Sequence, residues 1–159
     1  MLFKIDLSKE FDSLSWLYIQ KTLIAFGFAL PWVRWVMSLI SSSSFSILIN
    51  GIPSSTFYHS WGIRQGDPLS PFLFVIMAKG LGRNIKKAQQ SKLLRGLSFH
   101  NTTAFTHQQF LDDNMLFGHP PVQEARQLKM LLTDFLEASG ANINKAKSQI
   151  LFFHTSAST

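Results

Sequence analysis

The chain has 159 residues, 46% of them hydrophobic, which is enough to bury one core and too few for two comfortable domains. It has no Cys, which excludes disulfides and thiolate metal sites, so its 15 Phe and 4 Trp must supply the stabilising burial. Fifteen Lys plus Arg against nine Asp plus Glu give +6 at pH 7, a balance that draws polyanions, with nucleic acid the obvious candidate and a merely solvated basic surface the alternative.

The opening MLFKIDLSKEFD meets a lysine and then acids before any long apolar run, so it does not read as a signal peptide, and a nuclear or cytoplasmic location is expected. Residues 2 to 7 alternate apolar with polar, which predicts a strand with Asp6 near its end. Ser13 is expected to cap a helix running to about Phe26, with Gly27 as its stop, and a second helix should follow Pro31. The apolar stretch 26 to 40 contains Pro31 and Arg34 and is too short to span a bilayer, so no membrane partner is expected.

Residues 45 to 49 and about 56 to 60 read as a hairpin around Asn50-Gly51. From Pro68 or Ser70 to about Lys87, Leu73, Phe74, Ile76, Met77, Leu81 and Ile85 recur at helical spacing. Two apolar segments, 105 to 110 and 114 to 118, flank Asp112-Asp113 and predict a hairpin tipped by adjacent carboxylates. A helix from about Val122 to Ala138, ended by Gly140, precedes a last strand over 142 to 153. This order predicts an α+β fold, an antiparallel sheet with helices packed on one face, as one domain over 1–153 with a frayed tail at 154–159.

Neighbouring strands would bring Asp6 beside Asp112-Asp113. Acids so gathered repel one another unless a cation sits among them, and hard oxygen ligands suit Mg²⁺. Two such ions can assist both the attacking and the departing oxygen in nucleotidyl transfer. An isolated Asp-Asp in a turn is more often structural, because acids bond their own backbone there. Periodicity alone therefore reaches only a divalent-metal site.

Four strings carry more. KIDLSKEFDSLSW (4 to 16), GIRQGDPLSPFLF (62 to 74), FLDDNMLF (110 to 117) and SGANINKAKSQI (139 to 150) resemble, in order and spacing, the palm motifs of non-LTR (LINE-type) reverse transcriptases. The resemblance implies a polymerase palm performing RNA-templated DNA synthesis on an RNA template, a DNA primer and deoxynucleoside triphosphates. It implies that Asp6 and Asp112 hold two Mg²⁺ ions, with Mn²⁺ as a substitute, and that Asp113 supports them. By the same resemblance Phe11 lies under the incoming sugar and excludes a 2′-hydroxyl. Arg64, Gln65 and Gly66 lie beside nucleotide and template, and Lys147 donates a proton to pyrophosphate. Without it, Phe11 would be a core residue and Lys147 a solvated lysine.

Leu111 stands where the family has a small residue, so crowding of the primer end and reduced activity are expected. The fingers, thumb and endonuclease regions of a parent polyprotein are expected to be missing, which would impair or abolish turnover by this chain alone. The alternative is a non-catalytic nucleic-acid-binding remnant of a retroelement.

Overall fold

Period-two alternation makes β1 (Leu2–Ser8) a strand whose Ile5 and Leu7 are buried, while Lys4 and Asp6 lie on the other face. The computed structural model describes residues 1–8, 10–97, 104–110, 113–118 and 122–152. Past β1 come a short turn of helix, α1 (Glu10–Ser13), and then α2 (Trp16–Ala25) and α3 (Leu30–Ser41).

The expected single helix from Ser13 is broken, and Ser15 is the cap, its Oγ accepting from the Tyr18 N–H at 3.4 Å. Tertiary bonds cause the break. The Ser15 N–H donates to the Ser139 carbonyl at 2.7 Å, and the Leu14 carbonyl accepts from the Gly62 N–H at 2.7 Å, which takes both groups out of any helical ladder. The expected stop holds, with Phe26 at the C-cap and Gly27 at φ +87°. Proline in the first turn opens α3, as expected.

The predicted hairpin is built from four two-residue strands, β2 (Ser44–Phe45), β3 (Leu48–Ile49), β4 (Ile52–Pro53) and β5 (Phe57–Tyr58). β3 pairs β4 around Asn50-Gly51, whose φ values of 52° and 81° suit a tight hairpin turn, and β2 pairs β5 below it. α4 (Ser70–Gln90) follows. β6 (His107–Phe110) and β7 (Asp113–Phe117) form the second hairpin, and α5 (Val122–Ser139) follows that.

The last strand differs from expectation. It is two pieces, β8 (Asn142–Ile143) and β9 (Gln149–Leu151), both antiparallel to β1 and on its side away from β7. Leu7 opposes Ile143 and Lys4 opposes Gln149, so two residues of β1 face the five residues 144–148, a bulge with three extra. Asn144 causes it. Its Oδ1 accepts from the Ala146 N–H at 3.2 Å and its carbonyl from the N–H groups of Lys147 and Ser148 at 3.2 and 2.9 Å, closing a local turn in place of the ladder. The expected frayed tail, 154–159, lies outside the described residues.

The sheet therefore runs β6-β7-β1, with β8 and β9 along the far edge of β1. Leu81, Ile85 and Ala88 of α4, with Leu128 and Phe135 of α5, cover Ile5, Leu7 and Leu116 on one face. A second cluster joins Ile19 and Leu23 of α2, Val33 and Val36 of α3, and Leu73 and Met77 of α4. Tyr18 packs against both. This is the α+β arrangement that the order of elements predicts. Among the described residues no helix is long and apolar enough to cross a membrane.

Candidate active site

Strand register brings the first two acids together. Asp6 of β1 is the direct partner of Asp113, the first residue of β7. Directly opposed residues of an antiparallel pair point to the same side with Cα atoms about 4.5–5.5 Å apart. Ile5, Leu7, Asn114 and Leu116 occupy the helix-covered face, so Asp6 and Asp113 share the open one. Leu111 and Asp112, which precede Asp113, lie outside the described residues.

The Lys4 ammonium is 3.7 Å from Asp113, and with both side chains about two-fifths exposed this pair contributes little to stability. The Asp6 carboxylate has no hydrogen-bond or ion-pair partner among the described residues. Its backbone is pinned by the bulge instead, since the Asp6 N–H donates to Ser148 Oγ at 3.1 Å and the Asp6 carbonyl accepts from the Asn144 N–H at 2.9 Å. Lys147 is exposed on that same bulge.

Behind Asp113, buried Asn114 accepts from Gln109 Nε2 at 2.9 Å, and the same amide nitrogen donates to the Ala78 carbonyl of α4 at 3.0 Å. Gln109 and Asn114 thus tie the acidic hairpin to the long helix. The sequence reading missed both. Their only signal is polarity at positions whose strand phase points inward.

Phe11 is half-buried, its ring stacked on Phe74 of α4 with centroids 5.3 Å apart and planes 25° from parallel. It lines a cleft of about 550 Å³ with Gln65, Gly66, Asp67, Pro68 and Pro71. Phe11 thus both packs against the core and borders the cleft. Gln65 Nε2 donates to Asp12 Oδ1 at 3.0 Å, so Asp12 orients the amide. Asp67 accepts from the Leu69 N–H at 2.8 Å, an Asx turn that leads into α4. Asp12 and Asp67 lie within the matched strings, yet neither was assigned a role.

The loop that carries Arg64, Gln65 and Gly66 is docked on α1. The Ile63 N–H donates to the Phe11 carbonyl at 2.6 Å, and Trp16 Nε1 to the Gly62 carbonyl at 2.7 Å. Gly62 sits at φ +81°, where an added Cβ would lie 2.6 Å from the Asp12 carbonyl oxygen. Only glycine permits that approach. Arg64 is exposed and Gly66, at φ +84°, has open space around it. Among the described residues no group of three or more His, Asp or Glu side chains is gathered to hold a metal ion.

An antiparallel sheet with opposed acids on its open face and helices behind is the arrangement expected of a polymerase palm. Residues 1–158 match the family described as reverse transcriptase (RNA-dependent DNA polymerase), and the chain belongs to that family. Members of the family use divalent metal ions.

Over 147 residues, 90% of its length, the chain is 35% identical to the retrovirus-related Pol polyprotein of the type-2 retrotransposable element R2DM from Drosophila melanogaster. It is 30% identical over 143 residues to the Pol polyprotein of the type-1 retrotransposable element R2 from Popillia japonica. The likeness to non-LTR retroelement enzymes seen in the motifs is thus shown. The chain spans 13% and 23% of those two relatives. In fold it is similar to apo telomerase from Candida tropicalis truncated from the C-terminal domain, with a TM-score of 0.74 at 14% identity over 99% of this chain and 31% of that one.

Proposed function

We propose that this chain is the palm, over residues 1–153, of an RNA-directed DNA polymerase, and that it works within a longer polypeptide supplying fingers and thumb. The carrying observation is the pairing of Asp6 with Asp113 on the open face of β1 and β7. Like charges directly opposed across strands are destabilising, and a divalent cation relieves that repulsion. The donors fit: they are carboxylates, the hard oxygen ligands that Mg²⁺ takes.

Asp6 and Asp112 would hold two Mg²⁺ ions with Asp113 in support, and the ions when bound supply charge stabilisation at the attacking and departing oxygens. In the reaction a primer 3′-oxygen bonds the α-phosphorus of a deoxynucleoside triphosphate while the bond to pyrophosphate breaks. Lys147, on the bulge bonded to the Asp6 backbone, protonates the pyrophosphate. Phe11 cannot retreat from the sugar, because Phe74 backs its ring. Gln65, oriented by Asp12, bonds the substrate with its amide, Gly66 lets backbone approach, and Arg64 offers a cation beside them.

Primer extension on an RNA template tests this, with Asp112→Asn alongside. At most weak extension by the parent chain, for want of fingers and thumb, and its loss in the variant are expected. Undiminished extension by the variant would remove Asp112 from the site. Nucleic-acid binding without extension by either would favour the non-catalytic alternative.

A further inference from the structure

The first half of α5 stands off from the sheet. Leu128 and Phe135 are buried in the core beneath β1 and β7, yet Val122 at the start of the helix is 64% exposed and Ile150 of β9 55%. Between them lies a slot of about 500 Å³, on the helix-covered side of the sheet and so away from Asp6 and Asp113. Its walls include Phe3, Ile5 and Leu116 of the sheet, Leu128 and Leu132 of α5, and Ile150. Ile5, Leu116 and Leu128 belong to the buried core, so the slot runs from the surface down to the core itself. Its volume lies within the range of small-ligand clefts, about 300–1,000 Å³.

The mouth differs in chemistry. Arg126 and Lys129 of α5 and Lys145 of the bulge line the slot and are exposed, and no described Asp or Glu lines it. Among the described residues none of these three cations has an ion-pair partner. Like charges gathered at one opening repel one another, and an anion seated among them relieves that repulsion.

The interior decides what can carry that negative charge. Ser148 and Gln149 are the only uncharged polar side chains among the described lining residues, and Ser148 Oγ already accepts the Asp6 N–H. A peptide backbone or a sugar-phosphate chain inside would lose its hydrogen bonds to water and find few in return. Water is held poorly in so apolar a hollow. A hydrocarbon body has no such groups to satisfy, and its burial is favourable.

We propose that this slot binds a small amphipathic anion, an alkyl carboxylate, with its chain along Ile5 and Leu128 and its carboxylate among Arg126, Lys129 and Lys145.

The experiment titrates decanoate into the chain at about pH 7.5, where the carboxylate is ionised, and follows binding by calorimetry. One molecule per chain is expected. Each buried methylene should tighten binding about fourfold, so decanoate should bind roughly fifteenfold tighter than octanoate. Decanol keeps the chain without the charge and should bind more weakly than decanoate. Arg126→Gln combined with Lys129→Gln should weaken decanoate about two- to thirtyfold, the range for two exposed ion pairs, and leave decanol unchanged. Ala125→Phe, which puts a ring into the slot from a half-buried position on α5, should abolish binding. Ile150→Asp alters an exposed wall without touching the core and should weaken decanoate more than decanol. Leu48→Ser is the control, since Leu48 is 70% exposed on β3 and lies outside these walls. The proposal is overturned if decanol binds as tightly as decanoate, if octanoate matches decanoate, or if Leu48→Ser weakens binding as much as Ile150→Asp. Affinities of both Ala125→Phe and Ile150→Asp within about twofold of the parent would overturn it as well.

Discussion

Gly62 and Gly51 share a φ of +81° and differ in what surrounds them, so the same substitution at each isolates what close docking of the motif loop contributes. An alanine in the left-handed region costs about 1–2 kcal/mol wherever it sits. At Gly51 nothing lies within 4 Å of the added Cβ, and that strain is the whole expected loss. At Gly62 the Cβ would lie 2.6 Å from the Asp12 carbonyl oxygen and 2.9 Å from that of Phe11, both of them backbone atoms. The loop must then lift from α1, and the bonds from the Gly62 and Ile63 N–H groups go with it.

At about 0.5–1.5 kcal/mol each, those two bonds add roughly 1–3 kcal/mol to the strain. For a chain of this size about 1 kcal/mol lowers Tm by 2–4 °C. Gly51→Ala should therefore melt about 2–8 °C below the parent, and Gly62→Ala should fall further, by roughly 4–20 °C in all. Thermal unfolding followed by circular dichroism reads both. Equal losses in the two variants would refute the idea that the loop is held against α1 by a contact only glycine allows.

Asp12→Ala frees the Gln65 amide, whose single exposed bond is worth about 1 kcal/mol, so KM for the deoxynucleotide should rise roughly fivefold with kcat little changed; steady-state primer extension checks it. Phe11→Ala should raise ribonucleotide incorporation relative to deoxynucleotide, and unchanged discrimination in a competition assay would remove Phe11 from sugar selection. Burial, and then the neighbouring Lys86 charge, lower the pKa of His107 in the folded chain. The unfolded chain thus takes up this proton first, so stability is full above about pH 6.5, the ordinary His value, and falls as pH drops below it. Melting curves of His107→Gln between pH 7.5 and 5.5 should show a shallower loss than the parent's.

The order of elements was legible because each depends on neighbours a few residues away. Helical spacing marks α4 from Leu73 to Ile85, Asn50-Gly51 marks a hairpin, and alternation marks β1. The matched strings were legible too, since RQGDPLSP and the acids of DLSKEFD and FLDDNMLF are runs of residue types at short spacing.

Contacts distant in sequence account for most of what that reading missed. The break between α1 and α2 follows from bonds to Ser139 and Gly62, and no local pattern reports it. The bulge at 144–148 was hidden because Asn144, Lys145, Ala146, Lys147 and Ser148 lie between Ile143 and the apolar Ile150-Leu151, which read as one strand. Asp12 acquired a partner only when the loop carrying Gln65 folded against it.

By itself the sequence determined which residues could carry the chemistry, because side-chain type and local period are written into it. Only the tertiary structure decided that Asp6 opposes Asp113 and that both face away from the helices. A shift of one residue in the pairing of β1 with β7 would turn one acid into the core, and that register is set by the burial of Ile5, Leu7, Asn114 and Leu116 together.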